Sequence, residues 1–324
     1  MKISPRCTYC LLSRVHYQCR LSTDDIILTN KVMKNCIETL GKEYDPEKTS
    51  THVGTAVHRK CFEVLNDSDP YKYVKEGNNK TALDVLPDIR KLIYGKNEKG
   101  DAYSFENSPK PDGEIFENAV LAAVIGNYFD FGVMGQDASD TGFKQKFMSY
   151  FEEGLKINDT NDMMTLLSNV VYITDNCGEI VFDREVLEII QKIQQKSFTE
   201  NEKRNEKKIR PKLTLVVRGA PILTDATMKD ADELKMEDVT DAILTTGSNA
   251  IGVCMTELPA ETLAAMQNAS LIISKGMANY ESLSDEKLGP IAFLLRTKCE
   301  AVAESIGIEM GRSVAKLVTN NSCF

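Results

Sequence analysis

The stretch Val170-Val171-Tyr172-Ile173-Thr174-Asp175-Asn176-Cys177-Gly178-Glu179 leads from four apolar residues, through polar side chains and a glycine, into an apolar-periodic segment ending near Ile193. The apolar run predicts a buried strand, the periodic segment from Ile180 predicts a helix, and Gly178 supplies the turn between them. Open α/β sheets bind ligands at the carboxyl ends of their strands, which is where Asp175 and Asn176 would stand. A carboxylate beside an amide oxygen suits a hard divalent cation, and the helix start beside it favours an anion. Capping of the helix alone is the plainer alternative. Glu179 and Asp183 weigh against it, because a spacing of four places both carboxylates on one helix face near its start. Such a cluster calls for a cation or solvent to offset repulsion.

Further apolar runs at 213–217, 242–244, 271–273 and 291–295 alternate with helical patterns. Short buried strands separated by helices predict a parallel sheet covered on both faces. The loop after 213–217, Arg218 to Thr227, carries Asp225 to the same sheet edge, so Asp175, Asn176 and Asp225 offer three oxygen ligands to a six-coordinate Mg²⁺-like or Mn²⁺-like ion. Taken alone, Asp225 also reads as a turn residue. Gly247, Ser248 and Asn249 follow the next run, where small residues let backbone N–H groups approach a phosphate, although the loop lacks a P-loop lysine. Lys275-Gly276 follows 271–273, and a lysine there would neutralise a phosphate as a point charge.

The 324 residues are 42% hydrophobic and 27% charged, an ordinary globular composition. A formal charge of −9 speaks against nucleic acid or an anionic membrane as the main partner, while a local cation still permits a small phosphorylated substrate. No apolar stretch approaches the roughly 20 residues that cross a bilayer. The start Met1-Lys2-Ile3-Ser4-Pro5 does not read as a signal peptide, and nine cysteines, an odd number, fit free thiols in a reducing cytoplasm.

The first half reads as helices. Ser22-Thr23-Asp24-Asp25 predicts a helix start before Ile26, Val53 to Val64 repeats the pattern, and Pro87 predicts a start or bend near Leu86. A further helix is expected from Glu114 to Gly126-Asn127. The expected division is a mainly helical region over 1–160 and an α/β domain over 161–324. Cys7 and Cys10 form one CxxC that would hold zinc if Cys19 or Cys61 and His16 or His58 completed a tetrahedral set; free thiols are the alternative. His58 reads either as a general acid or as a partly buried helix residue.

Taken together, Asp175 to Glu179, Pro221 to Thr227, Gly247-Ser248-Asn249, Lys275 to Tyr280, Gly126 to Gly132 and Asp69-Pro70-Tyr71 resemble the damage-control phosphatases, long catalogued as domain of unknown function 89. Cys7-Thr8-Tyr9-Cys10 looks most like the cysteine-containing archaeal and bacterial branch. The resemblance implies a helical amino-terminal region beside a Rossmann-like, three-layer α/β domain with a mostly parallel sheet. It also implies a divalent metal (Mn, Mg, Co or Ni) at the positions matching Asp175, Asn176 and Asp225. Lys275 would then stand near the substrate phosphate, with Asn127 and Asp130 completing the pocket from the helical side. Cys177 stands where the family often has alanine or serine, and a thiol beside the ligands would broaden metal preference.

The expected activity is metal-dependent hydrolysis of small phosphomonoesters, sugar phosphates or damaged phosphorylated metabolites, either by direct attack of water or through an aspartyl-phosphate on Asp175. Two rivals stand beside it, an S-adenosylmethionine-dependent carboxyl methyltransferase and a non-enzymatic metal- or metabolite-binding protein. Oligomeric state and natural substrate are not legible.

Overall fold

The computed structural model describes residues 1–127, 140–203 and 210–319. The chain opens with helices α1 (Cys7–Ser22), α2 (Ile26–Glu43), α3 (Ser50–Leu65), α4 (Lys72–Tyr94), α5 (Asp112–Gly126) and α6 (Asp140–Glu153). Strand β1 (Leu155–Asn158), helix α7 (Thr160–Met164) and β2 (Asn169–Ile173) follow. Then come α8 (Glu179–Lys203), β3 (Lys212–Val217), α9 (Met228–Glu233) and β4 (Ala242–Thr245). The chain continues through α10 (Ala260–Gln267), β5 (Leu271–Lys275), α11 (Gly276–Leu283), β6 (Ile291–Arg296), α12 (Glu300–Ile306) and β7 (Ser313–Val318).

The strands form one seven-stranded sheet in the order β1-β7-β6-β5-β2-β3-β4, parallel throughout except between β6 and β7. From β2 the chain moves outward to β3 and β4, then returns to the other side of β2 for β5 and β6. The strand order therefore reverses between β2 and β5, and a crevice opens there at the carboxyl ends.

Both faces of the sheet are covered, in agreement with the unbroken apolar runs. Val170 and Tyr172 pack with Phe116, Phe182 and Ile189 of α5 and α8 on one face. Val171 and Ile173 pack with Tyr280, Leu283 and Val302 of α11 and α12 on the other. Helix α5 thus belongs to the sheet's own core, and β1 joins the sheet, so the α/β unit reaches upstream of the expected boundary at 160. Both lie ahead of Val170–Ile173, the first apolar run that reads as a strand.

A separate core joins α1, α2 and α3 through Val15, Cys19, Val32, Cys36, Val57 and Cys61. Asp25 caps α2 by accepting hydrogen bonds from Ile27 N at 2.8 Å and Leu28 N at 3.3 Å. Helix α4 runs through Pro87 rather than starting beside it. The carbonyl that Pro87 cannot bond belongs to Leu83, which is 46% exposed, so water can satisfy it.

The three-helix unit docks on the sheet loops through α3. Phe62 packs with Ile222 and Leu223, Thr55 Oγ1 accepts from Ile251 N at 2.9 Å, and Arg59 grips Glu257 through two guanidinium nitrogens at 3.0 and 2.7 Å. Hydrogen bonds from Arg59 and Ser248 hold the Glu257 carboxyl down to about 2, below its ordinary 4.5. A carboxyl depressed by folding stabilises the fold above about 4.5, and that stability is lost as pH falls toward about 2. The pair is about one-third exposed, so solvent screening keeps the effect modest. Urea midpoints of wild type and Glu257→Gln should therefore differ more at pH 6 than at pH 3. A gap independent of pH would show that the pair does not hold the unit in place.

Candidate active site

Thr174 still bonds to the sheet, its N–H reaching Val216 O at 3.0 Å, and the chain then turns away with Asp175 and Asn176. Asn176 forms an antiparallel bridge with Asp225 of the loop after β3. Two backbone bonds tie the loops together: Cys177 N donates to Thr224 O and Ala226 N donates to Asp175 O, each at 2.8 Å. Asp175, Asn176 and Asp225, 50 positions apart at the extremes, thereby become neighbours, each no more than 6% exposed.

Hydrogen bonds orient all three. Asp175 Oδ2 accepts from Asn127 Nδ2 at 3.0 Å and Asn176 Nδ2 at 2.7 Å, while Asn176 Oδ1 accepts from Thr224 Oγ1 at 2.7 Å. Asp225 Oδ2 lies 2.7 Å from Arg218 Nε, and Arg218 is itself held by Gly252 O and, at 3.1 Å, by Asn279 Oδ1. Gly276 makes room for Asp175: a Cβ there would fall 1.9 Å from Oδ2, and its φ of +79° is one that glycine adopts readily. Asn127 comes from the end of α5 and also donates to Glu179 Oε2 at 2.6 Å.

These four residues line a cavity of about 610 Å³, within the size of small-molecule sites, between the sheet's carboxyl edge and helices α1 and α3. Two carboxylates and an amide oxygen from bridged loops are a fitting donor set for a hard divalent cation. Asp130 lies outside the described residues.

Lys275 stands elsewhere than expected. Its ammonium is fully buried and bonded to Glu179 Oε1, Asp183 Oδ1 at 2.7 Å and Ala123 O at 3.1 Å, and it is absent from the cavity wall. Three acceptors occupy its three hydrogens, leaving none for a phosphate. Lys275 is thus the cation that the Glu179–Asp183 face calls for. Burial opposes that charge, but the adjoining carboxylates of Asp183 and Glu179 more than offset it and hold its pKa above the ordinary lysine value. Burial also pushes Asp183 up to about 6 against the pull of the ammonium, and Tyr172 Oη donates to it at 2.7 Å.

Gly247, Ser248 and Asn249 are likewise off the cavity wall. They back the β3 loop, where a Cβ on Gly219 would lie 2.3 Å from Ser248 N, and Asn249 Oδ1 accepts from Arg59 Nε at 2.8 Å. Cys177 is buried in the sheet core rather than turned toward the cavity, and burial followed by the charge of Asp230 pushes its thiol well above the ordinary cysteine value. Cys7 and Cys10 do line the cavity, together with Cys299. Among the described residues, however, no group of three or more His, Cys, Asp or Glu is arranged to hold a metal ion. Sequence reasoning missed Lys298, a cavity residue whose Nζ donates to Asn127 O at 2.6 Å. Its only signal was a lysine soon after the apolar run at 291–295.

Removing the buried ammonium tests the cluster. Lys275→Met should lower unfolding stability by about 3–5 kcal/mol in urea denaturation, because two carboxylates lose their partner out of water. A loss under about 1 kcal/mol would mean that they need no cation.

Residues 3–314 match the damage-control phosphatase ARMT1-like domain. The chain is 41% identical over 319 residues to a damage-control phosphatase of Archaeoglobus fulgidus, covering 98% of this chain and 100% of that one. It is 26% identical to a damage-control phosphatase of Pyrococcus horikoshii, covering 97% of each. The crystal structure of a DUF89 family protein from P. horikoshii superposes with a TM-score of 0.79 at 25% identity, covering 98% of this chain and 99% of that one. With the family match extending over nearly all of its length, the chain belongs to the damage-control phosphatase ARMT1-like family.

Proposed function

We propose that the chain is a metal-dependent phosphomonoesterase acting on small phosphorylated metabolites, with Asp175, Asn176 and Asp225 as the metal ligands. The bridge between Asn176 and Asp225 carries this reading, because it sets the oxygen donors of two loops side by side at the wall of a cavity. Membership of a phosphatase family supports the reaction class. A bound divalent ion would supply positive charge to a phosphoryl oxygen and to the charge that develops as the ester bond breaks.

The chain's own groups position the reaction. Amide N–H groups from Asn127 and Asn176 fix one oxygen of Asp175. Arg218 holds Asp225 and offsets part of its charge. Lys298 replaces Lys275 as the cavity cation assigned to the phosphate. Hydrolysis forms one P–O bond from water and breaks the ester P–O bond, and the proton lost by water ends on the leaving alkoxide.

Release of phosphate from p-nitrophenyl phosphate should vanish with a chelator and return with Mn²⁺ or Mg²⁺. Asp175→Asn and Asp225→Asn should each lower kcat by at least about 10²-fold. Asp225→Asn should also lower Tm, since Arg218 loses its buried carboxylate. Chelator-resistant turnover, or full activity in both variants, would sink the proposal. Gly276→Ala should displace Asp175 and raise the metal concentration for half-activation by about 10-fold or more, measured at saturating ester. An unchanged metal requirement would separate Asp175 from metal binding.

A further inference from the structure

Three thiols that the proposed reaction leaves unused stand together on the cavity wall. Cys7 opens α1, Cys10 follows one turn later, and Cys299 is the N-cap of α12. Cys10 is exposed, while Cys7 and Cys299 are half-buried. The starts of the two helices are tied side by side, since Arg6 pairs with Glu300 and, at 3.6 Å, with Glu304. Cys7 follows Arg6 and Cys299 precedes Glu300, so the ion pair brings both cysteines to one junction. The carboxylate of Glu281, on the same wall, acts on both thiols, and a thiolate at Cys299 or Cys10 would act on Cys7. Sulfurs from two distant segments of the chain thus share one small region. They are not arranged to hold a metal ion.

We infer that Cys7, Cys10 and Cys299 form a redox modification site, at which a low-molecular-weight disulfide oxidises the protein to a Cys7–Cys299 bridge that shuts off the phosphatase. The bridge itself is independent of the phosphatase reading, on which only its consequence rests.

A disulfide is attacked by a thiolate. Burial, ahead of the Glu281 charge, pushes the thiols of Cys7 and Cys299 above the ordinary cysteine value, so the exposed Cys10 makes the first attack. Its sulfur bonds to one sulfur of the reagent, the S–S bond breaks, and half of the reagent leaves as a thiol. Cys7 then displaces the other half. Residues three apart in a helix have Cα atoms about 5 Å apart, within the span of a disulfide. Cys299 finally attacks the Cys7 sulfur and releases Cys10 as a thiol. In sum, Cys7 and Cys299 lose two protons and two electrons, and the reagent gains both as two free thiols.

Lys298 gives the bridge its effect. It stands immediately before Cys299, on the cavity wall, and its Nζ donates to Asn127 O at 2.6 Å. Bonded sulfurs sit about 2 Å apart, so closure draws this turn toward α1 and moves Lys298 with it. The cation assigned to the phosphate is then out of place.

Metal-loaded protein treated with oxidised glutathione and desalted provides the test. Its kcat/KM on p-nitrophenyl phosphate should fall by about 10-fold or more and return after reduction with a phosphine. Peptide mapping without reduction should find Cys7 joined to Cys299. Cys299→Ser should keep at least about half of its own reduced rate after the same treatment, and Cys10→Ser should reach the bridged state about 10-fold more slowly. A map showing only Cys7–Cys10, glutathione retained on Cys10, or no disulfide overturns the proposal. So does a bridged protein of undiminished rate, or an equal loss in Cys299→Ser. If reduced wild type hydrolyses no ester, the phosphatase reading falls, and the map still decides the modification site.

Discussion

A lysine ammonium with no access to water, held between Glu179 and Asp183, ties together the parts on which the site is built. Lys275 ends β5, both carboxylates stand in the first two turns of α8, and the third acceptor is a carbonyl of α5. Taking three charges out of water costs free energy that hydrogen bonds and mutual attraction must recover. The return is geometric. Glu179 uses Oε1 for Lys275 and Oε2 for the amides of Asn127 and Asn176, and both amides also donate to Asp175. A chain of charge-assisted bonds thus runs from the middle of the sheet to the cavity wall, and Asp175 inherits its orientation from a lysine that never meets the cavity.

The second anchor runs through Arg218. It holds Asp225 on one side and Asn279 on the other, and Asn279 donates back to Thr174 O at 2.9 Å, immediately before Asp175. The loops after β2 and β3 and the first turn of α11 are therefore locked to one another around the point where strand order reverses. Topology brings the loops to one edge, and the buried polar network sets them in register. Without it, neighbouring loops would share an edge but not a donor set.

Much of this was legible beforehand, for definite reasons. The central strands appear as apolar runs because both of their faces are buried, and Asp175, Asn176 and Asp225 fall at strand ends, where the fold class places ligands. The two strands at the β1 end of the sheet were harder. β1 reads Leu-Lys-Ile-Asn and β7 is half-buried over its second part, so neither shows a continuous apolar run. Lys275 was placed at the correct strand end but assigned the wrong neighbour. A long side chain at such a point can turn into the cavity or back toward α8, and only packing decides. Glu179 and Asp183 advertised a cation at i, i+4, and that cation arrived from the sheet. Lys298 escaped notice because its place on the wall depends on how the β6–α12 turn docks, a long-range outcome that no local pattern encodes.

The electrostatics of the cavity bear on why a cation belongs to the proposed reaction at all. Asp175 and Asp225 face the space where a phosphoryl group would sit, in a chain whose net charge is already −9. Arg218 is paired with Asp225, and Lys298 adds a positive charge to the same wall. A phosphate dianion brought beside two partly buried carboxylates would be repelled more strongly than in water. A divalent ion between them reverses the sign of the local field and turns the same carboxylates into ligands. The carboxylates that would oppose a phosphate in the bare protein are the ones that would bind it through the metal. Affinity for the ester and affinity for the ion are then two readings of one coupled equilibrium.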